Sequence, residues 1–230
     1  MQEDGKQGTI IPIQSPVLAK NLEFARANRT LLERHGILAV NLIGSPGCGK
    51  TTLLENMVTR LGDALAVIEG DVQTRRDADR IERAGGRAYQ IETRGACHLD
   101  AQQVGRAIAG LELETHPCEV LVIENVGNLI CPSSYDLGEH LKVGLLSVPE
   151  GDDKILKYPS LFSKVSVLVV NKVDLLPHVA FDVDRVVDEC RSINNRVIVF
   201  KTSGKTGEGA PALCDFLVSR RAEILRGIGK

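Results

Sequence analysis

The chain predicts an α/β fold of three layers, a mostly parallel sheet carrying helices on both faces. Two observations lead there. Seven apolar runs, at 37–43, 65–69, 87–91, 119–124, 143–148, 165–170 and 196–200, alternate with segments of helical periodicity, the order that builds strand-helix-strand units. Stretches such as Val165-Ser166-Val167-Leu168-Val169-Val170 are apolar on both faces, as strands covered by helices on each side must be. In open parallel sheets ligands lie beyond the carboxyl ends of the strands, so the residues that follow each run carry the chemistry.

Residues 1–14 are polar and glycine-bearing and are expected to be a flexible segment, with one domain spanning 15–230. Ser15-Pro16 supplies an N-cap and a first-turn proline for an amphipathic leading helix through about His35. With 230 residues and 43% hydrophobic side chains, the chain can bury one substantial core. A net charge of −2, 3% aromatics and no Trp argue against nucleic-acid binding, since neither a basic face nor a stacking platform is available. The six cysteines are scattered without the spacing of a disulfide scaffold and read as reduced thiols. No apolar run reaches membrane-span length and the first residues, Met1-Gln2-Glu3-Asp4, do not resemble a signal peptide, so a cytoplasmic location away from the membrane is expected.

The most specific local pattern is Gly44-Ser45-Pro46-Gly47-Cys48-Gly49-Lys50-Thr51, running on into Thr52. It follows an apolar run and precedes a helical one, the context that a phosphate-binding loop requires. The glycines let backbone N–H groups turn inward around phosphate oxygens, Lys50 neutralises charge on the β- and γ-phosphates, and Thr51 can ligate Mg²⁺. The positive end of the following helix faces the same anion. Cys48 is small enough to be a bystander there, and is also a potential oxidation site.

Asn171-Lys172-Val173-Asp174 follows the run ending at Val170. A carboxylate only accepts hydrogen bonds, so Asp174 can take the N1–H and exocyclic amine of guanine but would face a lone pair on adenine. Lys172 can lay its stem over the base, and Asn171 can bridge base and phosphate loop. Ser203-Gly204-Lys205 is placed to complete the pocket with backbone N–H groups; a plain glycine turn explains it equally. Asp71 lies two residues past the run at 65–69 and is expected near Mg²⁺ or the attacking water, with capping of the next helix as the competing reading. Glu124 offers a second acid for a metal-bound water, and Gly127 an N–H for the γ-phosphate. Arg75 and Arg76 fit a solvated helical face better than a phosphate contact.

Cys97-His98 follows the run ending near Ile91, and Cys131 follows Glu124 to Ile130, both at carboxyl ends. Thiolate with imidazole suits Zn²⁺ or Ni²⁺, but three ligands are one short of a closed tetrahedron, which a symmetric dimer would complete. A capping His beside a buried Cys remains the alternative. His35, His116, Cys118, Cys190 and Cys214 fall in positions that read as structural.

Taken together, Gly44 to Thr52, Glu69-Gly70-Asp71, Cys97-His98-Leu99-Asp100-Ala101, Glu124 to Pro132, Ser147 to Pro159 and Asn171 to Asp174 resemble the hydrogenase nickel-incorporation GTPases, HypB, in the SIMIBI group of P-loop proteins. The resemblance spans nearly the whole chain, including Leu18-Ala19-Lys20-Asn21. It implies GTP hydrolysis with Mg²⁺, a Ni²⁺ or Zn²⁺ site from Cys97, His98 and Cys131, a homodimer promoted by GTP, and partnership with a HypA-type nickel chaperone and the hydrogenase large subunit. Residues 1–35 contain no Cys and a single His, His35, so a tight amino-terminal nickel motif or His-rich store is not expected there. A regulatory GTPase or assembly chaperone without metal, and a small-molecule kinase, are the competing functions.

Overall fold

Seven strands form one sheet in the order β3-β2-β4-β1-β5-β6-β7, in the computed structural model that describes residues 16–71, 75–93 and 95–228. The strands are β1 (Leu38–Gly44), β2 (Leu65–Asp71), β3 (Arg87–Glu92), β4 (Val120–Glu124), β5 (Leu141–Ser147), β6 (Val167–Asn171) and β7 (Ile198–Lys201). Each of the seven apolar runs becomes a strand, with ends shifted by up to two residues. Every pairing is parallel, so the expected "mostly parallel" sheet is wholly so. The physical reason is that each connection crosses over a face of the sheet instead of folding back as a hairpin. The flexible segment expected at 1–14 and the Ser15 cap lie outside the described residues.

The helices are α1 (Pro16–Arg34), α2 (Lys50–Leu61), α3 (Arg76–Arg83), α4 (Ala101–Gly110), α5 (Lys154–Lys157), α6 (Pro159–Phe162), α7 (Val183–Ile193) and α8 (Ala210–Ile228). The helix that follows β2 begins at Arg76. Strand alternation assigns the layers. Leu65, Val67, Val120 and Val122 pack with α2, α3 and α8 residues such as Leu54, Ile81 and Leu217. Ala66, Ile68, Leu121 and Ile123 pack on the other face with α1 and α4, and Leu168 and Val170 with α5, α6 and α7.

The buried stripe of α1 is Asn21, Ala25, Asn28 and Leu32, at helical spacing but half polar. Those amides bind backbone that no strand satisfies. Asn21 accepts from Ala101 N–H at 2.8 Å and donates to Asp136 O at 2.7 Å, while Asn28 donates to Ala101 O and Leu137 O. The leading helix thereby pins the start of α4 and the loop entering β5. Asp100 caps α4 in a reciprocal box with Gln103.

Candidate nucleotide and metal site

The loop between β1 and α2 turns at Gly47 (φ 73°) and Gly49 (φ 98°), a region of backbone space that favours glycine. At Gly49 crowding adds to the requirement, because a Cβ there would lie 2.6 Å from Asn171 Nδ2. Asn171 donates to Cys48 O at 2.9 Å and accepts from Thr202 Oγ1 at 3.0 Å and Gly204 N–H at 3.3 Å, fastening the phosphate loop to the end of β6. Lys172 Nζ donates to Gly47 O at 2.6 Å. Lys50 is buried, with Nζ over the carbonyls of Gly44 and Ser45 and 3.9 Å from Glu124 Oε1. Burial pushes the Cys48 thiol up to about 11, so it is a packing residue and a poor oxidation target.

Beside Lys50 lie two buried carboxyls, Glu69 and Glu124, at 1% and 5% exposure. They stand opposite one another in the β2–β4 register, and the strand alternation turns both toward α2. Thr51 Oγ1 donates to Glu124 Oε1 at 3.1 Å. Among the described residues, Glu69 Oε1 and Glu124 Oε2 have no hydrogen-bond partner. Burial, followed by the hydrogen bond and like charge shared with Glu124, raises the Glu69 pKa; burial likewise raises that of Glu124. Orphaned buried oxygens beside a threonine hydroxyl form the hard donor set that suits Mg²⁺.

Asp71 was the acid expected here; its side chain lies outside the described residues. Glu69, also on β2, lines the cavity with Glu124. The signal was available in the sequence: Leu65, Val67 and Glu69 share one strand face, as do Val120, Val122 and Glu124. Asp77 and Arg80 also line this cavity of about 480 Å³ and escaped the sequence reading. Arg80 donates to Thr52 Oγ1 at 2.8 Å and pairs with Glu55 and Asp77. Arg75 pairs with Asp79 and Glu82 on an exposed face, and Arg76 is exposed.

Gly127 packs on the phosphate loop so closely that a Cβ would lie 2.9 Å from Pro46 Cγ. Asn128 N–H donates to Gly44 O at 3.1 Å. On the base side, Ser203 Oγ donates to Asp174 Oδ1 at 2.6 Å. The expected use of Ser203 and Gly204 N–H groups for guanine meets a structural obstacle. The Ser203 N–H donates to Glu208 O and that of Gly204 to Asn171 Oδ1, so protein acceptors already occupy both. Of the trio, Lys205 keeps an N–H without a partner among the described residues.

Cys97, His98 and Cys131 come together, their ligand atoms within 4.8 Å of one another. Cys97 Sγ lies 3.4 Å from His98 Nδ1, near the roughly 3.3–3.8 Å that donors around a tetrahedral ion require. The His98 ring rests on Tyr135 at 3.9 Å between centroids, and burial lowers its pKa, which favours the neutral form that a metal ligand needs. The hydrogen bond with Cys131 raises the Cys97 pKa. Cys97 is exposed and the other two half-buried, so the cluster is accessible from solvent. Cys118, Cys190 and Cys214 are buried and His116 lies outside both sites.

The sheet order, the phosphate loop and the strand-end carboxyls define a P-loop GTPase. Residues 38–201 match the family described as CobW/HypB/UreG, nucleotide-binding domain. The hydrogenase maturation factor HypB of Rhizobium leguminosarum bv. viciae is 46% identical over 221 residues, 94% of this chain and 73% of that protein. The crystal structure of HypB from Helicobacter pylori in complex with nickel superposes with a TM-score of 0.85 at 39% identity, covering 90% of this chain and 97% of that one. HypB from Archaeoglobus fulgidus gives 0.80 at 38%, covering 89% and 100%. The chain belongs to the HypB family of hydrogenase maturation factors. Among the described residues no helix is long and apolar enough to cross a membrane.

Proposed function

We propose that this GTPase holds a nickel ion for hydrogenase assembly at Cys97, His98 and Cys131 and that nucleotide state governs its release. The observation that carries the reading is the convergence of these three ligand atoms within 4.8 Å on the rim that also carries the phosphate loop. The related HypB from Helicobacter pylori was crystallised with nickel. Zn²⁺ satisfies the same soft donors. Mg²⁺ would be held by Thr51 and Glu124 with Glu69 behind them, supplying charge stabilisation at the phosphates.

In this reading Gly44 to Thr52 cradle the phosphates, Lys50 balances their charge, and Gly127 offers its N–H to the γ-phosphate. Asp174 reads guanine, with Asn171 and Lys172 joining base and phosphate loops. The three-donor cluster, accessible from solvent, would be completed by a second copy of the chain in a homodimer promoted by GTP. A HypA-type nickel chaperone and the hydrogenase large subunit are the expected donor and acceptor of the ion, in the cytoplasm. A metal-free regulatory GTPase gives no reason for two thiols and an imidazole to meet.

The test is nickel and zinc stoichiometry, with GTP and ATP turnover, for wild type and Cys97→Ala. Loss of tight metal binding with GTP preference retained is expected. Unchanged metal binding in the variant would remove the metal assignment, and ATP preference the guanine assignment.

A further inference from the structure

We propose that Asn125 is the positioning residue that passes the nucleotide state to the thiol-imidazole loop, which rests on the reading above that this loop holds metal under nucleotide control. Asn125 follows Glu124 and precedes Val126-Gly127, and it is 1% exposed. Its amide is spent entirely inside the protein. Oδ1 accepts from Val126 N–H at 3.0 Å and from Leu99 N–H at 3.2 Å, and Nδ2 donates to Asn41 Oδ1 at 3.1 Å. Its backbone N–H donates to Leu42 O at 3.0 Å. One buried side chain therefore joins β1, the segment leading to Gly127, and the residue directly after His98.

Leu99 turns this bond into a lever. It is fully buried, and it is wedged where β2 and β4 end: a Cβ on Gly70 would lie 2.8 Å from Leu99 Cδ1 and 3.1 Å from Glu124 O. These are the strands that carry Glu69 and Glu124. When Gly127 engages or loses a γ-phosphate, any shift of 125–127 must either move Leu99 with it or break a buried hydrogen bond that water cannot replace. Moving Leu99 moves His98 and Cys97 against Cys131, and so changes the ligand geometry. Asn128 provides a second tether, from Nδ2 to Cys97 O at 3.3 Å, but it is exposed and exchanges readily with solvent.

The measurement is the ratio of Ni²⁺ dissociation constants in GDP and in a non-hydrolysable GTP analogue, read by chelator competition. A residue that only supports the fold would weaken both states alike; a relay changes the ratio. Wild type is expected to show a ratio of about five-fold or more, the usual scale of coupling between sites, and Asn125→Ala a ratio near one. A ratio retained in Asn125→Ala overturns the relay and leaves nucleotide gating standing. No ratio in wild type overturns the gating and the relay with it. Should Asn125→Ala fail to fold, amide exchange at Leu99 in metal-free wild type decides: protection that changes between GDP and the analogue supports the relay, and identical protection overturns it.

Discussion

Ser203 Oγ donates to Asp174 Oδ1 at 2.6 Å, so the carboxylate proposed to read the base is oriented by a serine from the neighbouring strand end. That bond holds one Asp174 oxygen, and the other is the acceptor proposed for guanine. Asp174→Asn replaces an acceptor by a donor and is expected to lose about ten- to a hundred-fold in guanine over adenine preference. Ser203→Ala should lose only about five-fold, since it removes orientation and not the reader. Competition between GTP and ATP for a fluorescent nucleotide measures both; unaltered selectivity in Asp174→Asn would assign base reading to another group.

The pairing of Glu69 with Glu124 has a pH signature. An unfolded glutamate ionises near pH 4.3, whereas burial and the neighbouring carboxyl hold Glu69 protonated to higher pH. The native state thus binds more protons, and its stability falls as pH rises above that unfolded value. Glu69→Gln keeps the shape and removes the proton uptake. In the absence of nucleotide and Mg²⁺, its stability advantage over wild type is expected to grow from pH 5 to pH 8, at up to about 1.4 kcal/mol per pH unit, and to be read as a widening gap in Tm. Parallel Tm profiles would contradict this.

Gly127 has no room for a side chain against Pro46, where a Cβ would meet Cγ at 2.9 Å and backbone N at 3.0 Å. Gly127→Ala must push the 125–128 segment off the phosphate loop. GTP hydrolysis is expected to fall about a hundred-fold, the scale of losing one preorganised donor, with a smaller change in GDP affinity. Single-turnover assays and GDP titration separate the two effects, and undiminished hydrolysis would place the γ-phosphate contact elsewhere.

Lys50 is buried between the loop carbonyls and Glu124, the cation nearest two carboxyls and the proposed phosphates. Lys50→Ala leaves that negative charge without its partner, and GTP-induced dimerisation should be lost. Light scattering reads the outcome directly; an intact GTP-induced dimer would refute it.

The phosphate loop, the position of Asn171 and Asp174 at a strand end and all seven strands were legible in the residue order because each depends on local spacing: a glycine where φ must be positive, a polar residue just past a strand, an apolar run of strand length. Glu69 illustrates where local spacing stops: it is the pairing with Glu124 across non-consecutive strands that sets two carboxyls side by side in a buried position. The acceptors that occupy the Ser203 and Gly204 N–H groups were equally invisible, since Glu208 and Asn171 reach them from outside the three-residue window 203–205.

The chain by itself determined which chemistry is carried: phosphate cradle, guanine acceptor, soft ligands, each written in short contiguous motifs. Tertiary structure alone decided that Cys131 meets Cys97 and His98, and that Asn125 links them to the phosphate side. Those distances are set by strand register and by a buried amide with three partners, which are properties of packing between segments far apart in the chain and not of any segment alone.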